Sequence, residues 1–423
     1  MHSRSHRSTR ARFAIIAAAV AVACAASAAA GYFAFSAQRS PGSAAGDTSA
    51  GAGSKAPPRA GASAGAGSGS AAAKQSGGPA SAALPKLSLA QMAGQRVIYS
   101  YGGLTPPAAL LALISHGEAA GVIFFGHNIS SQAQIAKVIA ELEGANSSPL
   151  NPVRAPLLLM TDQEGGIIRR MPGAPLLSER QIGAAADAAA EATAAGRSAG
   201  LNLRSVGMNI NLAPVLDVYR RPGDFDDQFG RSYSTNPDTV ASLGADFITA
   251  QQRAGVAATA KHFPGLGAAA QAQNTDKVPV TLNLPVSVIR NTDVLPYKAA
   301  IAAGVRLVML SWAVYPALAP GRPAGLSAAI VGGELRQRLR FGGVTITDAL
   351  EAGALRAFGA IPNRSLLAAQ AGMDLLLCSG QNYPEGAQAA AALERGYRDG
   401  RLGAPAFTAA VRRVLTLRAS LSR

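Results

Sequence analysis

From Leu87 onward the chain alternates short, wholly apolar runs with longer Ala- and Leu-rich segments of helical period. Eight runs are predicted strands: Gln95–Tyr99, Gly121–Phe125, Pro156–Thr161, Met208–Leu216, Ala257–Phe263, Arg306–Ser311, Gly343–Thr347 and Met373–Cys378. Each is rich in Val, Ile, Leu, Phe or Met and lacks polar/apolar alternation, as parallel strands covered on both faces do. Helices are predicted between them at Pro106–Ser115, Ala133–Glu143, Leu177–Val206, Pro237–Ala254, Val286–Ala303, Ala328–Leu339 and Asn363–Ala371. Two more, Pro384–Tyr397 and Ala406–Leu421, follow the last strand. This alternation favours an α/β fold of the (β/α)8 TIM-barrel type over a doubly wound sheet.

The first 84 residues follow another pattern. Residues 1–12 are basic without an acid, and residues 13–35 are apolar and uncharged. A basic flank before an apolar run of this length marks an export signal or a membrane anchor, so residues 1–35 should carry the rest out of the cytoplasm. Cys24 after Ala21-Val22-Ala23 lacks the Leu of a lipoprotein cleavage site and reads as an ordinary cysteine in an apolar segment. Residues 36–84 are nearly all Ala, Gly, Ser and Pro, a composition that buries too little apolar surface to order and suits a tether. That leaves residues 85–423 for one barrel domain, secreted or held at the membrane and expected to act as a monomer.

Charge narrows the function. The formal net charge is +15, but the basic residues before position 85, set against Asp47 alone, contribute +7 of it. The modest surplus on the remainder, with few aromatics to stack bases, argues against nucleic-acid binding. Cys378 is the only cysteine beyond residue 84, and His116, His127 and His262 are the only histidines there, which leaves no set for a structural zinc site.

In a barrel the chemistry sits where strands end. The third predicted strand runs into Asp162-Gln163-Glu164-Gly165-Gly166, where two acids follow an apolar run and two glycines permit a tight turn. The fourth runs through Asn211–Asp217 into a loop with Asp224, Asp226, Asp227 and Arg231. Arg231 could grip a hydroxyl-rich ligand or pair with a neighbouring aspartate. The fifth ends in Lys261-His262-Phe263-Pro264-Gly265, a donor pair that packing alone explains poorly. The seventh ends in Asp348, positioned as a nucleophile or as a cap for the next helix. Gly265-Leu266-Gly267-Ala268-Ala269-Ala270 fits a loose dinucleotide pattern, but no amphipathic helix follows it, so no nicotinamide cofactor is expected.

Together these motifs resemble family 3 glycoside hydrolases, in particular single-domain bacterial β-N-acetylhexosaminidases. The similarity spans roughly Leu87 to Leu421 and includes Gly121–Gly126, the D-x-E-G-G turn at Asp162–Gly166, Asn211–Pro214, Phe229–Ser232, the K-H-F-P-G run at Lys261–Gly265, and Asp348. The resemblance implies retaining cleavage of terminal β-linked N-acetylhexosamine from cell-wall or related glycans, with no metal or organic cofactor. It makes Asp348 the nucleophile and Asp162, Arg231, Lys261 and His262 the residues that hold the sugar. In one respect the chain departs from the pattern. Relatives often carry a His–Asp pair in the loop after K-H-F-P-G, whereas here residues 265–276 contain no histidine and one acid, Asp276. Asp276 is therefore either the substitute acid/base or a turn residue. Ile167 and Ala349 also stand where an Arg and an Asp are common. A competing expectation is a catalytically impaired, carbohydrate-binding barrel.

Overall fold

The computed structural model describes residues 85–421. The export segment expected at 1–35, with Cys24, and the tether expected at 36–84 lie outside the described residues. Among the described residues no helix is long and apolar enough to cross a membrane.

All eight predicted strands form, each within or close to its expected bounds. They are β1 (Val97–Tyr99), β2 (Gly121–Ile123), β3 (Leu158–Thr161), β6 (Ile210–Asn211), β7 (Ala257–Phe263), β8 (Leu307–Leu310), β9 (Val344–Ala349) and β10 (Leu375–Leu377); a small hairpin, β4 (Gln163–Gly165) and β5 (Ile168–Arg169), follows β3. The eight close into a parallel barrel in the order β1-β2-β3-β6-β7-β8-β9-β10, with β10 pairing back to β1. Side chains alternate along each strand. Leu158 and Met160 of β3, Leu307 and Met309 of β8, and Leu375 and Leu377 of β10 fill the barrel interior. Their neighbours Leu159, Val308 and Leu376 join the layer between strands and helices. Because both layers are apolar, the strands read as continuous runs rather than as alternating ones.

The interior is closed from below. Val414, Leu417 and Leu421, from the helix Ala404–Ser420 and the residue after it, pack among the inward-facing strand residues. Arg418 of the same helix is fully buried; its guanidinium donates to the backbone oxygens of Pro156 (2.9 Å) and Ala155 (2.9 Å) and to the side chain of Asn146 (3.1 Å). These bonds tie the last helix to the segment that leads into β3.

Three predicted helices differ in detail. Leu177–Val206 is two helices, Glu179–Gly183 and Ala188–Arg204, because Gly183 packs against the Tyr233 backbone and Asp187 caps the second helix by accepting the Ala190 N–H at 3.1 Å. Val286–Ala303 carries a π-helical turn, Ile289–Asp293, before its continuation Leu295–Ala302. Ala329–Arg338 is π-helical throughout. The short helix Leu89–Gly94, set by a capping box between Ser88 and Gln91, has too little apolar periodicity to be read from sequence.

Candidate active site

The site is built where β3, β7 and β9 end. At the end of β3 the chain passes Asp162 and turns back through the β4–β5 hairpin at Gly165 (φ 126°) and Gly166 (φ 55°). A Cβ on Gly165 would sit 2.1 Å from the Leu177 carbonyl oxygen, so glycine is required for conformation and for space. The hairpin directs Glu164 and Asp162 toward the same cation: Lys261 Nζ lies 2.8 Å from Asp162 Oδ1 and 2.7 Å from Glu164 Oε1. Arg231 completes the network. Its Nε and Nη2 donate to the two Glu164 oxygens at 2.8 and 3.0 Å, and its Nη1 donates to Asp226 at 2.8 Å. Of the two readings of Arg231 left open by the sequence, the structure shows the ion pairing, with Glu164 and Asp226, and it also places Arg231 in the cavity lining.

Burial and these partners set the charges. Burial alone would raise the Glu164 carboxyl, but Arg231 and Lys261 hold it at about 2. Burial would lower the Lys261 ammonium, but Asp162 and Glu164 more than compensate and raise it. Glu164, Lys261 and Arg231 stay ionised, and the ion pairs fix the geometry of the network before any ligand arrives.

Beside Lys261, His262 donates from Nδ1 to Asp217 Oδ2 at 2.7 Å, and Asp217 also accepts the Leu266 N–H. Burial disfavours the imidazolium, but Asp217 outweighs it, so the His262 pKa is raised and the Asp217 pKa is lowered. Burial and the Asp217 charge push the Asp226 carboxyl up to about 7, against the pull of Arg231. Asp217, Asp226 and His262 bring ligand atoms within 4.8 Å of one another, a spacing a metal ion could bridge. Asp217 is engaged by His262 and the Leu266 N–H, and Asp226 by Arg231.

On the far side of the cavity Asp348 occupies the penultimate position of β9, and its Oδ1 accepts the Ala349 N–H at 2.7 Å. Burial and the nearby Asp276 charge push its carboxyl up to about 6, against the lowering effects of His262 and Lys261. Asp276 itself lies in the long loop after β7, which folds over the barrel mouth. All six residues singled out in the sequence (Asp162, Arg231, Lys261, His262, Asp276 and Asp348) line one cavity of about 420 Å³. Sequence reasoning gave no role to Asp217 or Asp226. Asp217 carried a usable signal, an acid that ends an apolar run, while Asp226 is one of several aspartates in its loop and had none.

A closed parallel barrel whose mouth gathers a fixed ionic network and two further carboxyls can support glycoside cleavage. The chain belongs to the family described as glycosyl hydrolase family 3, N-terminal domain, whose pattern matches residues 87–417. An uncharacterised secreted glycosyl hydrolase of Arthroderma benhamiae is 44% identical over 81% of this chain and 97% of the relative. A β-hexosaminidase of Thioalkalivibrio sulfidiphilus is 33% identical over 67% of this chain and 78% of the relative. Among solved structures, a family 3 β-N-acetylglucosaminidase from a Paenibacillus species superposes with a TM-score of 0.74 at 34% identity, covering 80% of this chain but 64% of that longer one. A β-N-acetylhexosaminidase from Beutenbergia cavernae gives a TM-score of 0.72 at 31% identity, over 79% of this chain and 99% of that one.

Proposed function

We propose that this chain is a retaining β-N-acetylhexosaminidase that removes terminal β-linked N-acetylglucosamine from cell-wall or related glycans. The observation that carries the reading is the convergence of residues from β3, β7, β9 and the loops after β3, β6 and β7 on a single cavity of about 420 Å³. The relatives named β-hexosaminidases support the choice of sugar. Asp162, Lys261, Arg231 and His262 hold the hydroxyls, since the Asp162–Lys261 pair and the bonds of Arg231 to Glu164 and Asp226 and of His262 to Asp217 fix the donors and acceptors in place. Asp348, ionised above about pH 6, attacks the anomeric carbon and forms a covalent glycosyl-enzyme. As the glycosidic bond breaks, Asp276 gives its proton to the departing oxygen. It then takes a proton from the water that hydrolyses the intermediate. The reaction balances with two carboxyls and one water.

The basic and apolar start of the chain, together with a relative named as secreted, supports action outside the cytoplasm, with residues 1–35 as cleaved signal or retained anchor. The test is incubation with a chromogenic N-acetylglucosaminide. Turnover is expected, and Asp348→Ala should reduce it by roughly 10³-fold or more. Sugar binding without turnover in the unmodified protein would instead favour the impaired, carbohydrate-binding barrel.

A further inference from the structure

The loop from β7 to the next helix is docked along its length. Its first part packs on the segment after β6: the Phe225 N–H donates to the Ala269 carbonyl at 2.9 Å, and a Cβ on Gly267 would fall 2.3 Å from the Val218 oxygen. Its last part pairs with the segment after β8, where the Leu282 N–H donates to Val314 and the Val314 N–H to Val280, each at 2.9 Å. Between these anchors, Asp276 is held by the segment that follows the nucleophile. The Gly353 N–H donates to the Asp276 carbonyl at 2.7 Å, and the Ala354 N–H donates to the Thr275 carbonyl at 3.0 Å. On the other side of the peptide, the Asp276 N–H is taken by Asn274 Oδ1 at 2.8 Å, which closes a local turn.

This contact has no room for a side chain at position 353. A Cβ there would lie 2.1 Å from the Lys277 carbonyl oxygen and 2.4 Å from its carbon, and Lys277 directly follows Asp276. The clash is with backbone, so relief requires the stretch carrying Gly353 and the segment carrying Asp276 to move apart. Gly353 is also only a few residues beyond Asp348, so one short stretch of chain carries one carboxyl and clamps the backbone of the other.

We propose that Gly353 is a positioning residue for proton transfer: its bare backbone sets the height of Asp276 above Asp348 and keeps the β7 loop closed without a bound ligand. This inference rests on the assignment of Asp276 as the acid/base. General acid catalysis depends on the leaving group. A misplaced donor slows substrates whose departing oxygen needs a proton and spares those that leave as stable anions. A displacement of about 1 Å costs on the order of 10²-fold in rate.

The experiment compares Gly353→Ala, Ala354→Pro and Asp276→Asn in the full chain on two N-acetylglucosaminides, one with an alkyl leaving group and one with a dinitrophenyl group. Ala354→Pro removes the second clamping N–H at the start of a 3-10 turn, where the ring is tolerated, and covers the case in which Gly353→Ala fails to fold. Gly353→Ala is expected to lower kcat on the alkyl glycoside by about 10- to 100-fold with KM little changed, and to leave the activated substrate within about twofold. Added to Asp276→Asn, it should cause no further loss on the alkyl substrate, because both changes act through one group. Equal losses on both substrates, or additive losses in the double variant, would show that Gly353 only supports the fold and would overturn the proposal. If Asp276→Asn itself treats both substrates alike, the acid/base assignment fails first, and the two failures are thereby told apart.

Discussion

Each carboxyl of the site draws a different character from its surroundings. Glu164, between Arg231 and Lys261, is held at about 2 and remains an anion at any working pH, while Asp348, buried and facing Asp276, is raised to about 6. In the proposed mechanism Asp348 is the nucleophile and must be ionised, so kcat/KM should fall as the pH drops through about 6, by roughly tenfold per unit below it. A pH–rate profile that stays flat to pH 5 would remove Asp348 from that limb. Asp276→Asn should cost roughly 10²- to 10⁴-fold on poor leaving groups and little on activated ones. These single residues were largely legible in the sequence because acids and bases that end apolar strands stand out against their neighbours. Asp217 was visible in the same way but had no partner to suggest its role. It is defined by His262, 45 positions later in the chain, and such pairing is fixed by the barrel's closure rather than by any local pattern.

Glu164 matters more to the elements than to the ligand. It sits on the β4–β5 hairpin, pairs with Lys261 at the end of β7 and with Arg231 in the loop after β6, and so binds three separate segments through one buried carboxylate. Replacing it with Gln would leave two buried cations short of a counter-charge, a loss expected at about 3–5 kcal/mol. Urea denaturation should show this as a large drop in midpoint for Glu164→Gln. Asp162→Asn, whose acid is the more exposed of the two, should lose activity with a smaller change in midpoint. At this scale the strands were readable and several helices were not. The strands carry apolar runs fixed by burial on both faces, whereas the break at Gly183 answers to the Tyr233 backbone and the π turn at Ile289–Asp293 encloses an aspartate that reaches Arg220 at 2.7 Å. Helical periodicity carries no trace of such tertiary contacts. The hairpin was half visible: the glycine pair announced a turn, but the pairing of Gln163 with Arg169 did not show.

For the molecule as a whole, the buried Asp348 carboxyl is a source of instability. The Asp348 carboxyl ionises near 3.8 when exposed and near 6 when folded, so the unfolded chain gives up its proton first and folding stability declines as pH rises between those values. The deficit persists at neutral pH. Asp348→Asn, which keeps an oxygen for the Ala349 N–H, should therefore unfold at a higher temperature than the parent at pH 7, by about 1–3 kcal/mol, and match it near pH 3.5. A lower melting temperature at pH 7 would contradict the placement of this charge in a desolvated position.

The helix Ala404–Ser420 also constrains when the fold can complete. Its buried Val414 and Leu417 are each worth about 1.5–3 kcal/mol of apolar burial, and they plug the cylinder from beneath at the far end of the sequence from β1. Without residues 404–420 the inward-facing strand residues lose this cover, so a chain truncated before Ala404 should be recovered as protease-sensitive aggregate. The seal on the barrel floor is thereby supplied by a segment that can meet its partners only after every barrel strand has been synthesised.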